Sequence, residues 1–209
     1  MKLLNQSSAA PTAMFRSGTA SMKPLATVAL MLTLGVASAY AGESSVKMQF
    51  SGTSANSATS LQQPNTSNDE DSFAGKGSLG PFTVRNLRAI SNSPGASSTC
   101  SGATLLYLPE LAGGGVFRFD DGGLLYLNLT QGGDCIDLST GLAHCTLTFQ
   151  ITGGTGRFKN ASGVLTMTET VYTVLADAFS NPVFFAATGE FTGTISGVAN
   201  DEDGWQDQQ

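Results

Sequence analysis

The chain has 209 residues, enough for one domain plus processing segments, and only 12% of them are charged. Sixteen acidic residues against ten basic ones give a net charge of −6, which argues against nucleic acid and anionic membrane surfaces as partners. Twenty-five glycines, and short β-branched runs set between Gly, Asn, Asp and Ser clusters, point to an all-β class and away from a helical one.

The first segment reads as a targeting signal. Lys23 precedes an apolar run over residues 25–36, and Ala39-Tyr40-Ala41 forms an A-x-A cleavage pattern before Gly42. A charged flank, a short apolar core and a small-residue site together define a secretory signal peptide, and the run is too short for an ordinary membrane span. Residues 1–41 are therefore expected to be removed, which leaves a secreted or periplasmic protein without a membrane anchor. Cleavage there retains seven basic and all sixteen acidic residues, a net charge of −9.

Val46-Lys47-Met48-Gln49-Phe50 alternates apolar and polar residues, as a half-buried strand does. Residues 53–71 are almost devoid of apolar side chains and read as a long mobile loop, so residues 42–72 form a first strand and its polar loop. From Phe73 the pattern becomes regular. Strands are expected over residues 75–79 and 82–90, and residues 91–101 form a Ser-rich loop. Residues 103–108 are apolar until Pro109 and Gly113-Gly114-Gly115 break the run. Residues 116–119 and 124–130 flank Asp120-Asp121-Gly122-Gly123, a hairpin signal. Residues 145–152, 163–175 and 184–198 complete the set, and residues 199–209 form an acidic tail. About eight strands with short connections and no helix fit a barrel closed on itself, with a sandwich as the alternative.

The stretch from Thr152 to Gly163 holds four glycines in twelve residues. It superficially fits a nucleotide-binding turn. Lys159 stands where that turn needs its third glycine, however, and a β-branched run follows in place of a helix, so no cofactor is expected. A structural role is the better reading: glycines permit a tight connection, and Phe158 is the one bulky apolar residue available to cap a core.

Gly153-Gly154-Thr155-Gly156-Arg157-Phe158, followed by Ala161 and Gly163, resembles the G-G-T-G-x-F-x-x-A-x-G signature of dirigent proteins and the related turn of allene oxide cyclases. The stretch from Gly75 to Thr83 is similar to their small-residue strand ending in L-G-x-F-T, and that from Thr188 to Gly197 to their closing strand. The resemblance covers residues 73–198 and extends to bacterial exported proteins of that superfamily. It implies a single antiparallel eight-stranded barrel, which assembles as a homo-trimer in the plant families. It does not imply an activity: one family steers radical coupling, the other closes a fatty-acid epoxide ring, and no catalytic residue of either maps onto a matching position.

Alternation nominates candidate site residues. Leu165, Met167, Glu169 and Val171 share one face of their strand, so a lumenal Glu169 would be a carboxylate among apolar side chains, fit for acid or base work. A pairing of Glu169 with Arg157 or Arg118 is the structural alternative. Tyr107, Tyr126 and Tyr172 are candidates for stacking a ligand, and Arg118 for a polar contact. Arg85 and Arg88 fall on opposite faces, so at most one points inward. In an oxidising compartment Cys135 and Cys145, which bracket a turn, are the expected disulfide; two other pairings with Cys100 exist. No metal site is expected, since His144 beside Cys145 matches no usual zinc spacing.

The leading functional expectation is an exported barrel that binds a small, largely apolar molecule or serves a structural role. A cyclase, isomerase or stereochemical guide using Glu169, and an interaction module using residues 53–71, are the alternatives. A lumen filled by Phe, Leu and Met would exclude both the enzyme and the ligand binder.

Overall fold

The computed structural model describes residues 42–199; the expected signal peptide and the tail from residue 200 onward lie outside the described residues. Eight strands follow in order: β1 (Ser44–Asn56), β2 (Thr66–Gly77), β3 (Gly80–Ser91), β4 (Leu105–Phe119), β5 (Leu124–Asp137), β6 (Leu142–Gly154), β7 (Ser162–Ala176) and β8 (Pro182–Ser196). Each pairs antiparallel with the next, and β8 returns to β1, so the sheet closes into a barrel. The sandwich alternative is thereby excluded.

Side-chain alternation builds the interior. In β3, Phe82 and Val84 point inward while Thr83 and Arg85 point out; in β6, Leu147, Phe149 and Ile151 are buried between exposed or half-buried neighbours. One half of the barrel is filled by rings. Phe50 stacks on Phe73 at 4.6 Å between centroids, and Phe117 meets Phe191 at 4.9 Å. Met48, Leu125, Leu147, Leu165 and Met167 fill the gaps between the rings. Each fully buried side chain of this kind contributes roughly 1.5–3 kcal/mol.

The glycine-rich connection between β6 and β7 seals that end. Gly153 and Gly156 adopt positive φ, 125° and 58°, and a single 3-10 turn at Gly156–Phe158 follows. The turn drives Phe158 into the barrel, where it is fully buried against Phe119 at 4.5 Å. Arg157 lies over both rings, pairs with Asp121 at 2.7 Å and donates to the Leu79 carbonyl at 2.6 Å. The structural role expected for this stretch is the one observed.

Two expectations change. The polar run over residues 53–71 is mostly strand: the loop between β1 and β2 spans only residues 57–65, and β2 begins at Thr66. The barrel therefore starts at Ser44, not Phe73, and an interaction loop of the expected length does not exist. Second, β4 runs unbroken through Pro109 and the triple glycine. The β4–β5 ladder lapses between the Pro109–Gly133 and Gly114–Asn128 pairs, so Pro109 stands at the last pair before the lapse and not in mid-ladder.

The disulfide is also corrected. Cys100 is bonded to Cys135, and Cys145 is a free, buried thiol. Cys135 and Cys145 do lie on adjacent strands, but Cys135 is opposite His144 and Cys145 is opposite Asp134. An offset of one residue sends their side chains to opposite faces of the sheet, so no bridge can form. Cys135 faces outward, where it anchors the loop between β3 and β4.

Candidate functional site

The lumen changes character beyond the aromatic half. Arg88 follows Phe82, Val84 and Asn86 on the inward face of β3 and is 2% exposed. Carboxylates from four other strands converge on its guanidinium. Nη1 donates to Glu110 Oε1 of β4 at 2.6 Å; Nε lies 2.8 Å from Asp71 Oδ2 of β2, and Nη2 donates to Asp71 Oδ1 at 3.1 Å. Glu169 Oε1 of β7 is 3.4 Å from Nη2, and Asp134 Oδ1 of β5 is 3.9 Å from Nη1. Asp69 of β2 stands on the same inward face, two residues from Asp71.

Five carboxyl groups share one cation, so they cannot all ionise cheaply. Burial is the main cause of the resulting shifts. It pushes Glu169 up to about 8, with Asp71 and Asp134 adding to the rise and Arg88 opposing it. Asp69 is raised to about 6 by the same desolvation, again against Arg88. Glu110 is held well above the usual carboxylate range by burial. The Cys145 thiol is raised by burial and then by Asp134 and Glu169, so it is a neutral lining group and a poor nucleophile.

Above this charged layer the barrel is open. A cavity of about 450 Å³ reaches from Arg88, Asp134 and Cys145 to the mouth formed by Asn56, Leu138 and Pro182. Its walls combine Ile90, Leu108, Ile136, Val171 and Phe185 with the polar Ser54 and Asp69. Two buried polar atoms of the lining residues, Ser54 Oγ and Asp134 Oδ1, have no hydrogen-bond partner in the protein; Glu110 Oε2 and Glu169 Oε2, in the charged layer, have none either. Such atoms are costly to bury unless something meets them. The lumen is thus neither wholly filled nor wholly apolar. Among the described residues no group of histidines, cysteines and carboxylates is arranged to hold a metal ion; the guanidinium of Arg88 occupies the centre of the acidic cluster.

Of the five ligand-binding candidates, Glu169 alone lies inside. It pairs with Arg88; Arg118 points outward from between Phe117 and Phe119, and Arg157 belongs to the sealed end. Tyr107 lies on the outer face and donates to the Gly132 carbonyl at 3.1 Å. Tyr126 lines a separate groove of about 560 Å³ on the outer wall, beside the exposed Arg85–Glu70 pair. Tyr172 is exposed on β7, opposite Ala186. Tyr107, Arg118, Tyr126 and Tyr172 therefore share no site with Glu169.

Asp69, Asp71, Glu110, Asp134, Ser54 and Cys145 are lumenal residues that alternation did not nominate. For β2 the signal is present: Asp69 and Asp71 continue, at a spacing of two, the inward face that Phe73 begins. No protein-family model and no curated protein matches the chain.

Proposed function

We propose that the protein is an exported binding barrel for a small molecule, with its site in the open half of the lumen. The observation that carries this reading is the division of the interior: rings fill one half, while the other keeps a cavity of about 450 Å³ with unpartnered polar groups at its floor. The Cys100–Cys135 disulfide supports an oxidising compartment, in keeping with the signal-like N-terminal sequence. The closed eight-stranded antiparallel barrel supports placing the chain beside the dirigent and allene oxide cyclase superfamily, whose turn signature forms the sealed end.

Native purification of the exported protein, followed by mass spectrometry of small molecules released on unfolding, tests the reading. Val171→Trp, which fills the cavity, is expected to eliminate the bound molecule while the barrel keeps its β circular dichroism. Undiminished ligand in that variant refutes a lumenal site.

One observation favours a second reading, a cyclase or isomerase. Glu169, pushed up to about 8 beside Arg88, holds a proton at neutral pH and can act as a general acid. Turnover of the copurifying molecule, lost in Glu169→Gln with binding retained, would select this reading; turnover retained in that variant removes Glu169 from the chemistry.

A further inference from the structure

The chemistry of the lumenal floor narrows the ligand class, on the basis that the cavity is a binding site. Arg88 is the one cationic side chain facing the lumen among the described residues, and its guanidinium is already engaged by Asp71, Glu110 and Glu169. No cation remains free for an anionic ligand such as a fatty acid. The unpartnered acceptor that faces the cavity from the floor is Asp134 Oδ1, with the carboxyl of Asp69 further up the wall and the Ser54 hydroxyl among the lining groups. A ligand that satisfies them must bring hydrogen-bond donors and gains from bringing positive charge. Asp134 is buried, lines the cavity, and lies too far from Arg88 for a hydrogen bond, so it is the natural first partner.

The walls set the rest of the molecule. Ile90, Leu108, Ile136 and Val171 offer an apolar sleeve between floor and mouth. Among the described residues Phe185 is the only aromatic one lining the cavity, and they build no cage of rings of the kind that recognises quaternary ammonium groups. N–H donors, not a methylated cation, match what the floor presents.

We infer that the lumen binds an organic amine: a protonated primary or secondary amino group seated against Asp134 and Asp69, with an apolar tail running along the sleeve to the mouth.

The titratable and charged groups at the seat are Asp69 from β2, Arg88 from β3, Asp134 from β5 and Cys145 from β6, which line it, with Asp71 from β2, Glu110 from β4 and Glu169 from β7 buried around Arg88 beneath them. Seating a cation among them favours the ionised carboxylates, so binding is expected to release protons in the range where Asp69 and Glu169 hold them.

The test is calorimetric titration of the mature protein with three ligands of one chain length: a straight-chain primary amine, the matching alcohol and the matching carboxylate. At pH 7.5 the amine is expected to bind at least about tenfold more tightly than the alcohol, with the carboxylate weakest. Asp134→Asn and Asp69→Asn should each shrink the ratio of amine to alcohol affinity, and the amine should bind more weakly at pH 5 than at pH 7.5. Alcohol or carboxylate binding as tightly as the amine overturns the amine assignment and leaves the binding barrel standing. Failure of all three to bind overturns both. The wild-type comparison decides the matter even where a variant does not fold.

Discussion

Replacing Arg88 by Met keeps the aliphatic stem but removes the cation around which the inner layer is arranged. The wild-type guanidinium lies within 2.6–3.4 Å of oxygens from Asp71, Glu110 and Glu169, and is almost fully buried. Removing one partner from a buried ionic cluster costs about 3–5 kcal/mol, because the charges left behind are neither solvated nor paired. Here the orphaned groups are carboxyls, and they can escape by taking up protons. Without Arg88, which opposes the rise at Glu110 and Glu169, the pKa values of those two carboxyls climb further, so the folded state binds more protons than the unfolded one over a wider range. Stability then falls as pH rises. The destabilisation of Arg88→Met should be modest at pH 5 and approach the full 3–5 kcal/mol at pH 8, read from urea unfolding curves of wild type and variant at both values. A loss below about 1 kcal/mol at pH 8, or one of equal size at both pH values, would mean that the carboxylates do not depend on Arg88 and would refute the reasoning.

Glu169→Gln isolates one member of the cluster. Its folded pKa of about 8 lies above the ordinary 4.5, so its contribution to stability is full below 4.5 and is lost as pH rises through 8; the variant should gain on wild type across that window in paired denaturation curves, and parallel curves would contradict the raised pKa. Cys135→Ser opens a disulfide that spans 35 residues of sequence and should cost about 4 kcal/mol, while peptide mapping of the unreduced wild type should show Cys100 joined to Cys135; a Cys135–Cys145 peptide would overturn the assignment. Phe158→Ala removes the ring that seals the apolar end and should cost about 3–5 kcal/mol in chemical denaturation, whereas a loss under about 1 kcal/mol would show that the glycine-rich turn does not plug the core.

What the sequence disclosed, and what it hid, follows from how alternation fails. Where one face is apolar the period of two is plain: spacing alone puts Leu165, Met167 and Glu169 on one face, and the barrel turns that face inward. Arg85 and Arg88 likewise divide between the outer and inner faces as their spacing requires. In the first half of β2 both faces are polar, so Thr66–Asp71 carries no hydrophobic signal and resembles a loop. Glu110 and Asp134 escape alternation for a different reason. Each lies beyond a register shift, one opposite Ala89/Ile90 and one at Leu129/Gln131, and a bulge reverses which residues face inward. The cysteine pairing failed through proximity in sequence: the nearest pair is adjacent in the sheet but faces opposite ways.

Those two bulges bear on whether the charged layer is built or merely tolerated. The inward residues of β4 are Phe119 and Phe117, then Gly115 and Gly113; uninterrupted alternation would next turn Leu111 into the lumen and leave Glu110 in water. The shift does the reverse, leaving Leu111 50% exposed and burying Glu110 at 6%. In β5 the inward set is Leu125, Leu127 and Leu129, and unbroken alternation would continue to Gln131, Gly133 and Cys135. The bulge instead aims Asp134 inward and turns Cys135 outward, where Cys100 meets it. One irregularity thus sets both a carboxylate of the site and the disulfide that anchors the adjoining loop. Putting a carboxyl inside and a leucine outside runs against the hydrophobic drive that organises the other half of the barrel. The aromatic half supplies the burial that sustains such a cost, and the bulges confine it to the open half. The two bent strands thus gather carboxyl groups beneath the cavity, where Asp134 joins its lining and Glu110 stays in the layer paired with Arg88, an arrangement with no counterpart among the described residues at the groove beside Tyr126 on the outer wall.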